Sequence, residues 1–359
     1  MAPPFPQADD PLAPWDYALP EHLIAATPPA ERDGGRLLVV GERLSDRAVV
    51  DLPELLDPGD LLVVNDVRVR RARLRAARPS GGAVEVLVLR ADGDAGEALL
   101  RPARKLRVGE RLRAGTGEIE VVEHRGEGRA WVRFTPSLAA IEASAGELPL
   151  PPYLGRPAGD DDERRYQTVY AQAGALQASA APTAGLHLSE PVLAAVRARG
   201  VDVVKVTLEV GLGTFRPLTA EMFASGRLHP ERYEVPAATW AALHTTRAAG
   251  GRIVAVGTTV VRTLESATGP GPGETDILLR EGWQPRWVDA MWTNFHLPRS
   301  SLLMLVGAFA GRERVLAAYA HAIARGYRFF SYGDACFFPA RGAPDPARFG
   351  TVAAPRPND

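Results

Sequence analysis

The segment that decides the fold is VAVGTT at residues 254–259, a short apolar run that ends at a glycine and two threonines. A run of this length is typical of a buried strand. Threonine directly before a new apolar pattern is typical of a helix start. The segment therefore predicts a strand at 252–256 that leads into a helix at 260–267, with Thr258 or Thr259 as the cap.

The same alternation of strand and helix extends on both sides of this segment. The pattern predicts helix 191–199, strand 203–210, helix 237–249, strand 287–292 and helix 301–310. Residues 36–40 and 61–64 are expected to be further strands, and residues 21–26 a short helix. Strands that alternate with helices favour an α/β fold.

Residues 73–146 have a different sequence pattern. Glycine-containing turns separate short β-rich runs, and no long helical pattern interrupts them. The expected strands there include 83–89, 118–123 and 130–134. This spacing is typical of a small β-barrel. We therefore predict an α/β catalytic domain formed by 1–72 and 150–359, with an inserted small β-barrel domain at 73–149.

Composition excludes several classes of protein. The 359 residues are 46% apolar with a net charge of −1, so a large core is expected and any nucleic-acid contact must use a local basic face. The single cysteine, Cys336, excludes an internal disulfide framework and a multi-thiolate zinc site. No run reaches the roughly 18 apolar residues of a membrane span, and residues 1–10 lack a secretory pattern. A cytoplasmic, soluble protein is expected.

The strongest candidate for a functional site is DAMWTNFHLPRS at residues 289–300. It ends a predicted strand and enters a predicted helix, and α/β sheets bind ligands at the carboxyl ends of their strands. The loop offers an amide, an imidazole and a guanidinium in Asn294, His296 and Arg299.

Two glycine-containing turns are further candidates. Exposed amides at Thr258 and Thr259, with Arg262 nearby, would favour a carboxylate or a phosphate, although an ordinary capped turn explains the same pattern. The segment GLGTFR at residues 211–216 would let a ligand approach the backbone closely. It is neither a dinucleotide fingerprint nor a Walker loop.

The segment PTAGLHLSE at residues 182–190 carries a possible acid–base pair. His187 could relay a proton and Glu190 could act as a base. A core histidine beside a helix-capping glutamate explains the same residues. The seven histidines of the chain show no metal-ligand spacing on one helix, so no catalytic metal is expected.

Arginines are dense near the predicted barrel. They could bind phosphates, or they could form solvated strand faces, and the sequence leaves both interpretations open. The candidates for phosphate contact include Arg70, Arg71, Arg73, Arg104 and Lys105.

Taken in order, many short segments across nearly the whole chain carry a resemblance to one family. They are DYxLP (16–20), PGDLLVVND (58–66), RPARK (101–105), GELPLPPY (146–153), RYQTVYA (165–171), APTAGLH (181–187), residues 210–217, YEVP (233–236), GTT (257–259), RTLE (262–265), residues 293–300 and FSYGDA (330–335). Together they resemble the S-adenosylmethionine:tRNA ribosyltransferase-isomerases, the enzymes that form epoxyqueuosine.

The resemblance implies an α/β domain with an inserted β-barrel and a defined reaction. The ribosyl moiety of S-adenosylmethionine is transferred to 7-aminomethyl-7-deazaguanine at the wobble position of tRNA and isomerised, and adenine and methionine are released. S-adenosylmethionine is then a co-substrate, with no metal, and the protein is expected to be a monomer or a weak homo-oligomer.

The resemblance also suggests roles for particular residues. Acid–base work is assigned to a subset of His187, Glu190, Asp289 and His296. Arg262 or Arg299 would hold the methionine carboxylate or a tRNA phosphate. The full set expected at S-adenosylmethionine is Gly211, Gly213, Thr214, Thr258, Thr259, Arg262, Asn294 and Arg299.

The chain departs from the family pattern at several positions. Glu209 stands where a histidine is expected, Val260 where a serine is expected and Val67 where a threonine is expected. Leu188 and Ser189 replace a phenylalanine and a threonine, and the stretch before Ala181 is a few residues longer than usual. These departures motivate a second hypothesis, a paralogue that uses S-adenosylmethionine on a small-molecule acceptor. A third hypothesis is an inactive RNA-binding protein that uses the arginine run.

Overall fold

The structure, a computed structural model, describes residues 10–211 and 218–339. Contacts between Cα atoms divide these residues into two compact units. The larger, here the main unit, comprises 10–65, 183–207 and 218–339, and the smaller, here the barrel unit, comprises 66–182 and 208–211. The smaller unit is thus inserted into the larger one along the chain.

The strands of the described residues are, in chain order, β1 (Arg36–Val40), β2 (Leu44–Ala48), β3 (Leu61–Asn65), β4 (Val67–Val69), β5 (Arg73–Ala77), β6 (Ala83–Asp92), β7 (Ala95–Arg101), β8 (Arg111–Ala114), β9 (Gly117–Gly126), β10 (Arg129–Thr135), β11 (Gly146–Glu147), β12 (Gln172–Ala178), β13 (Asp202–Leu208), β14 (Arg227–Val235), β15 (Ile253–Val256), β16 (Gly271–Ile277), β17 (Ala290–Asn294) and β18 (Ala335–Phe338). The helices are α1 (Leu138–Ala145), α2 (Asp160–Arg165), α3 (Glu190–Ala198), α4 (Ala220–Ser225), α5 (Ala237–Ala248), α6 (Thr258–Ser266), α7 (Ser301–Ala310) and α8 (Arg312–Ala324).

A nine-stranded mixed sheet forms the centre of the main unit, in the order β16-β14-β13-β3-β15-β17-β18-β1-β2. Its central strands β13, β3, β15 and β17 are parallel neighbours. Every residue of β3, β15 and β17 is buried, as expected for parallel strands that are covered on both faces. The carboxyl ends of β3, β15 and β17 consequently meet at one edge of the sheet, here called the carboxyl edge.

The barrel unit contains a closed antiparallel barrel of six strands. The sheet runs β5-β6-β7-β10-β9-β8, and a pairing of β5 with β8 closes it. Buried and exposed residues alternate along β5 and β8, as the period of two in a half-buried strand requires. The interior is filled by apolar side chains such as Val86, Val132 and Phe134. The predicted fold class, an α/β main domain with an inserted small β-barrel domain, is confirmed.

Several predicted elements differ from those observed. Residues 21–26 form only a short 3₁₀ turn, Glu21–Leu23, followed by a bridge from Ile24 to Phe329. The strand expected at 287–292 is β17, which starts at Ala290, because Glu265 holds the backbone amides of Trp287 and Val288 in a loop. The antiparallel pair β14 and β16 was not predicted, since glycines and prolines interrupt its pattern.

Candidate active site

The carboxyl edge of the main sheet collects the polar side chains that the sequence singled out. Because β18 is antiparallel to β17, and β1 is parallel to β18, the turns that precede β1 and β18 lie at this same edge. Gly35 and Asp334 stand in those turns, and Asn294 ends β17. The edge therefore brings together residues that are as far as 299 positions apart in the chain.

His187 is held at this edge by the 3₁₀ turn Thr183–His187. The indole nitrogen of Trp292 donates to the carbonyl of Ala184 at 3.0 Å, and the Trp292 and His187 rings lie edge to face with centroids 6.0 Å apart. The imidazole is buried, with 3% of the residue exposed. Burial, assisted by the charge of Arg32, lowers the pKa of His187 to about 4, so the ring is neutral near pH 7.

Asn294 links His187 to the turn before β18. Its side-chain nitrogen lies 3.0 Å from His187 Nε2 and 3.0 Å from the carbonyl oxygen of Phe330. Its side-chain oxygen is buried and has no hydrogen-bond partner among the described residues. A buried polar atom without a partner costs free energy, and it is a feature that a bound ligand can satisfy.

His296 follows Asn294 by two residues and is fixed by neighbours on several sides. Its Nε2 lies 3.0 Å from the Thr293 hydroxyl. The Tyr319 hydroxyl accepts from its backbone nitrogen, and the Tyr17 hydroxyl donates to its carbonyl. Burial lowers the pKa of His296 to about 3, so this second imidazole is also neutral near pH 7.

The start of α6 corrects one prediction. Neither Thr258 nor Thr259 caps this helix, because the cap position is Gly257 with a φ of 91°, and no side chain supplies a capping bond. Both threonines lie inside the first turn. The Thr259 hydroxyl is buried and has no hydrogen-bond partner among the residues that the structure describes. An added Cβ on Gly257 would meet the Ala184 side chain at 3.2 Å, so glycine permits this close approach.

The two arginines expected to bind an anion are both engaged within the main unit. Arg262 is buried in an ion pair with Glu231 and is 3.4 Å from the Thr275 carbonyl. Arg299 pairs with Asp10 at 2.5 Å and Asp16 at 3.4 Å. The described contacts therefore give both guanidinium groups carboxylate partners from this chain.

The two carboxylates expected in acid–base work stand apart from the imidazoles. Asp289 precedes β17, at the opposite end of that strand from Asn294, where it accepts from the Ile253 amide at 2.9 Å and lies 3.7 Å from Arg247. Glu190 is exposed in the first turn of α3, where the helix dipole favours an acid. The structure thus joins His187 to Asn294 by a hydrogen bond and places His296 two residues beyond Asn294, but no described contact joins Asp289 or Glu190 to them.

Arginines of the barrel unit are largely paired. Arg70 lies 2.6 Å from Glu142, Arg71 lies 3.0 Å from Glu163, and Arg73 donates to the Leu150 carbonyl at 3.2 Å. By contrast, Arg104 and Lys105 are exposed in a 3₁₀ turn, and no hydrogen bond or ion pair within the described chain holds their side chains.

The glycine-rich segment after β13 is only partly described. Gly211 lies in the barrel unit and is half-buried, whereas Gly213 and Thr214 fall outside the described residues. Among the residues that the structure describes, no cluster of three or more histidine, cysteine or acidic side chains could hold a metal ion. No described helix is long and apolar enough to cross a membrane.

Sequence reasoning missed several residues that shape this edge. Gly35 lies beside His187, since a Cβ added to it would be 3.5 Å from Nδ1. Phe330 has a φ of 77°, an uncommon value for a non-glycine residue, and its carbonyl meets Asn294. The pair GG at 34–35 was a visible signal. The partners of Asn294 and His296 were not visible, because they depend on contacts between distant segments.

Fold and site together define a two-unit protein with an α/β main unit that carries a buried, neutral polar cluster at the carboxyl edge of its sheet. Residues 12–338 match the model of the queuosine biosynthesis protein family. The chain therefore belongs to this family.

Individual relatives agree with that assignment. The chain is 50% identical over 339 residues to an S-adenosylmethionine:tRNA ribosyltransferase-isomerase from Aromatoleum aromaticum, covering 91% of this chain and 97% of the relative. It is 51% identical over 339 residues to the protein of the same name from Anaeromyxobacter dehalogenans, covering 90% and 98%. A crystal structure of the S-adenosylmethionine tRNA ribosyltransferase from Thermotoga maritima matches with a TM-score of 0.53 and 33% identity, over 91% of this chain and 100% of that one.

Proposed function

We propose that this protein transfers and isomerises the ribosyl moiety of S-adenosylmethionine onto 7-aminomethyl-7-deazaguanine in tRNA, giving epoxyqueuosine-tRNA and releasing adenine and methionine. The relatives that are about half identical over nearly the whole chain carry the name S-adenosylmethionine:tRNA ribosyltransferase-isomerase, which supports the coarser part of this proposal. The observation that carries the proposal is the buried pair of His187 and Asn294, with an unpartnered acceptor oxygen among the described residues, at the edge where α/β sheets bind ligands.

The polar atoms at the carboxyl edge fit S-adenosylmethionine. Asn294 offers an unpartnered acceptor oxygen, which suits a sugar hydroxyl, and Thr259 offers an unpartnered hydroxyl, which suits a carboxylate. The amides at the start of α6 have no capping side chain, and a helix N-terminus attracts negative charge. The first turn of α6 would therefore hold the methionine carboxylate, while Asn294 orients the ribose.

The role proposed for Arg262 and Arg299 therefore differs from the anion binding that the sequence predicted. Since both guanidinium groups already have carboxylate partners, we assign them to positioning the site rather than to holding the substrate. Arg299 ties residues 10–16 to the loop that carries His296, and its backbone nitrogen donates to the Trp15 carbonyl at 2.9 Å. Arg262 ties α6 to β14 through Glu231.

The two buried imidazoles supply neutral hydrogen-bonding groups to the reaction. S-adenosylmethionine supplies a sulfonium that acidifies the adjacent ribose carbon. With pKa values lowered to about 4 and about 3, His187 and His296 carry no charge near pH 7. They would orient sugar oxygens and help to exclude water, and neither adds a positive charge beside the sulfonium. The assignment of Asp289 and Glu190 to proton transfer has no support from their positions.

For tRNA, the free cations of the barrel unit are the best candidates. Arg104 and Lys105 are exposed and form no ion pair with another described residue, so they can neutralise phosphates without first breaking such a pair. Arg70, Arg71 and Arg73 already contact carboxylates or a carbonyl. With a net charge of −1 for the whole chain, such local cations must supply the attraction.

The test is to incubate the protein with S-adenosylmethionine and tRNA that carries the 7-aminomethyl-7-deazaguanine base, and to analyse the digested nucleosides by mass spectrometry. The expected result is an epoxycyclopentanediol adduct, with adenine and methionine in equal amounts. If a related enzyme works in parallel and this protein forms no adduct, the tRNA reaction is overturned. Adenine release with a small-molecule deazaguanine acceptor would then support the paralogue hypothesis.

A further inference from the structure

The orientation of the Asn294 amide is fixed by the Phe330 carbonyl. The side-chain nitrogen of Asn294 lies 3.0 Å from that oxygen, so the reversed amide would bring two acceptor oxygens together. The backbone nitrogen of Gly333 donates to the same carbonyl at 3.0 Å, which fixes the carbonyl in turn. A Cβ on Gly333 would lie 2.5 Å from backbone atoms of Arg328 and Phe329, so the turn requires glycine.

This orientation determines which nitrogen of His187 carries the proton. The Asn294 nitrogen has two hydrogens, and it lies 3.0 Å from both the Phe330 oxygen and His187 Nε2. An amide nitrogen only donates, so Nε2 must accept and cannot carry a hydrogen. A neutral imidazole has a single ring hydrogen, which must therefore be on Nδ1.

The Nδ1 side of the ring faces Gly35. A Cβ at position 35 would lie 3.5 Å from His187 Nδ1 and 3.7 Å from Asp334 Oδ1, so the absence of a side chain there leaves the space beside Nδ1 clear. Asp334 is occupied by backbone amides, with Arg36 at 2.8 Å on one oxygen and Arg328 at 2.8 Å on the other.

We propose that His187 acts as a neutral hydrogen-bond donor through Nδ1, and that Asn294 and the Phe330 carbonyl are positioning groups that set this tautomer. The ligand atom it recognises is an acceptor, such as a sugar oxygen or a heterocyclic nitrogen. Nε2, which already accepts from Asn294, is unavailable as a proton acceptor for the substrate. The identity of that substrate rests on the proposed function, but the tautomer does not.

The cost of this arrangement is consistent with a functional role. Phe330 adopts a left-handed backbone conformation that is unfavourable for a residue with a bulky side chain. Both His187 and Asn294 are almost fully buried, with 3% and 2% of each residue exposed. Burial also lowers the pKa of His187 to about 4, which keeps the ring in the neutral state that has a tautomer at all.

Nitrogen NMR of protein labelled with ¹⁵N-histidine tests the tautomer without any turnover. The His187 signals are assigned by their loss in His187→Gln. The expected pattern at pH 7 is a protonated Nδ1 and an unprotonated Nε2. A protonated Nε2, or a ring protonated on both nitrogens, would overturn the proposal. Asn294→Asp supplies a hydrogen-bond acceptor to His187 instead of a donor. It should therefore move the ring proton to Nε2 and raise the pKa of His187. An unchanged NMR pattern in this variant also counts against the proposal.

Two substitutions at position 187 test the catalytic role. The amide nitrogen of asparagine is as many bonds from Cα as Nδ1 of histidine, and that of glutamine is as many as Nε2. His187→Asn should therefore keep turnover within about tenfold of the wild type, while His187→Gln loses at least about a hundredfold. Equal losses, or a more active glutamine variant, would contradict donation through Nδ1.

Gly35→Ala gives an independent measurement, because its methyl group enters the space beside Nδ1. We expect kcat to fall about tenfold or more, with the NMR pattern of His187 unchanged. Gly34→Ala is the matched control, since the three atoms nearest to its Cβ would all belong to Glu31. Equal turnover in the two alanine variants would overturn the proposal. An absence of product in the wild type would refute the proposed function alone, because the NMR result stands without it.

Discussion

The polar side chains at the carboxyl edge of the main sheet differ in burial, charge and pairing from those on the outer face of the barrel. At the edge, His187, Asn294 and His296 are neutral and buried, and Asn294 and Thr259 each keep an atom without a partner among the described residues. On the barrel, charged groups are exposed or half-exposed and are mostly paired, as with Arg71 and Glu163. Unsatisfied burial is expensive, whereas exposed ion pairs contribute little. We therefore expect the ligand at the carboxyl edge, where buried neutral side chains offer unpartnered atoms, and not where charged side chains are densest.

The largest expected effect concerns the buried ion pair of the main unit. Arg262→Ala leaves the Glu231 carboxylate buried without its partner, so the free energy of unfolding should fall by about 3–5 kcal/mol. Urea denaturation measures this loss. Arg71→Ala, which breaks an exposed pair in the barrel unit, is the matched control and should cost about 1 kcal/mol or less. Similar losses in both variants would remove the contrast between the two regions.

The next effect is on catalysis. Asn294→Ala removes the donor to His187 and the unpartnered acceptor together, and kcat should fall by about 10²–10³. Steady-state measurements of adenine release would show it. Thermal unfolding of the same variant separates lost catalysis from lost folding, and a near-normal kcat in a folded variant would contradict the assignment of the site to this edge.

Stability should decrease as the pH falls. The pKa values of His187 and His296 are lowered to about 4 and about 3, whereas unfolded histidine titrates near 6.5. Between about pH 6.5 and pH 4 the unfolded chain binds more protons, so each histidine removes about 1.4 kcal/mol of unfolding free energy per pH unit as acid is added. Urea denaturation at pH 7, 6 and 5 gives the free energy of unfolding as a function of pH. This free energy should fall less steeply with decreasing pH in His187→Gln than in the wild type. Equal dependence on pH in the two proteins would contradict the burial of a neutral ring.

A smaller effect is expected at the start of α6. Thr259→Val preserves the shape of the side chain but removes its unpartnered hydroxyl, so the Kd for S-adenosylmethionine should rise about tenfold. Calorimetric titration measures the change. Thr246→Val, on the half-exposed side of α5, controls for the substitution itself. Unchanged binding in Thr259→Val would place the carboxylate elsewhere.

The smallest effect tests the barrel. Replacing both Arg104 and Lys105 by alanine should weaken tRNA binding several-fold and reduce the slope of log K against log salt by about 2. Arg71→Ala should change binding less than twofold, because Glu163 already neutralises that guanidinium. If Arg71→Ala weakened tRNA binding more than the double substitution of Arg104 and Lys105, the distinction between paired and unpaired cations would be wrong.

Sequence alone determined the architecture, because hydrophobic period is a local property. Runs such as residues 61–64 are apolar throughout and are typical of buried strands, and alternation such as that of residues 73–77 is typical of a half-buried strand. The carboxyl end of β17 was likewise predicted as the candidate site, because Asn294 ends a buried strand and His296 lies two residues beyond it.

Tertiary structure decided what each side chain can do. Arg262 and Arg299 looked like anion ligands until Glu231, Asp10 and Asp16 supplied their partners from distant segments. Asp289 looked like an acid–base group, yet the direction of β17 puts it at the other end of the strand from Asn294. The tautomer of His187 depends on an amide 107 residues away and on the carbonyl of Phe330. Hydrogen bonding and burial are set by neighbours in space, and those neighbours exist only after the chain has folded.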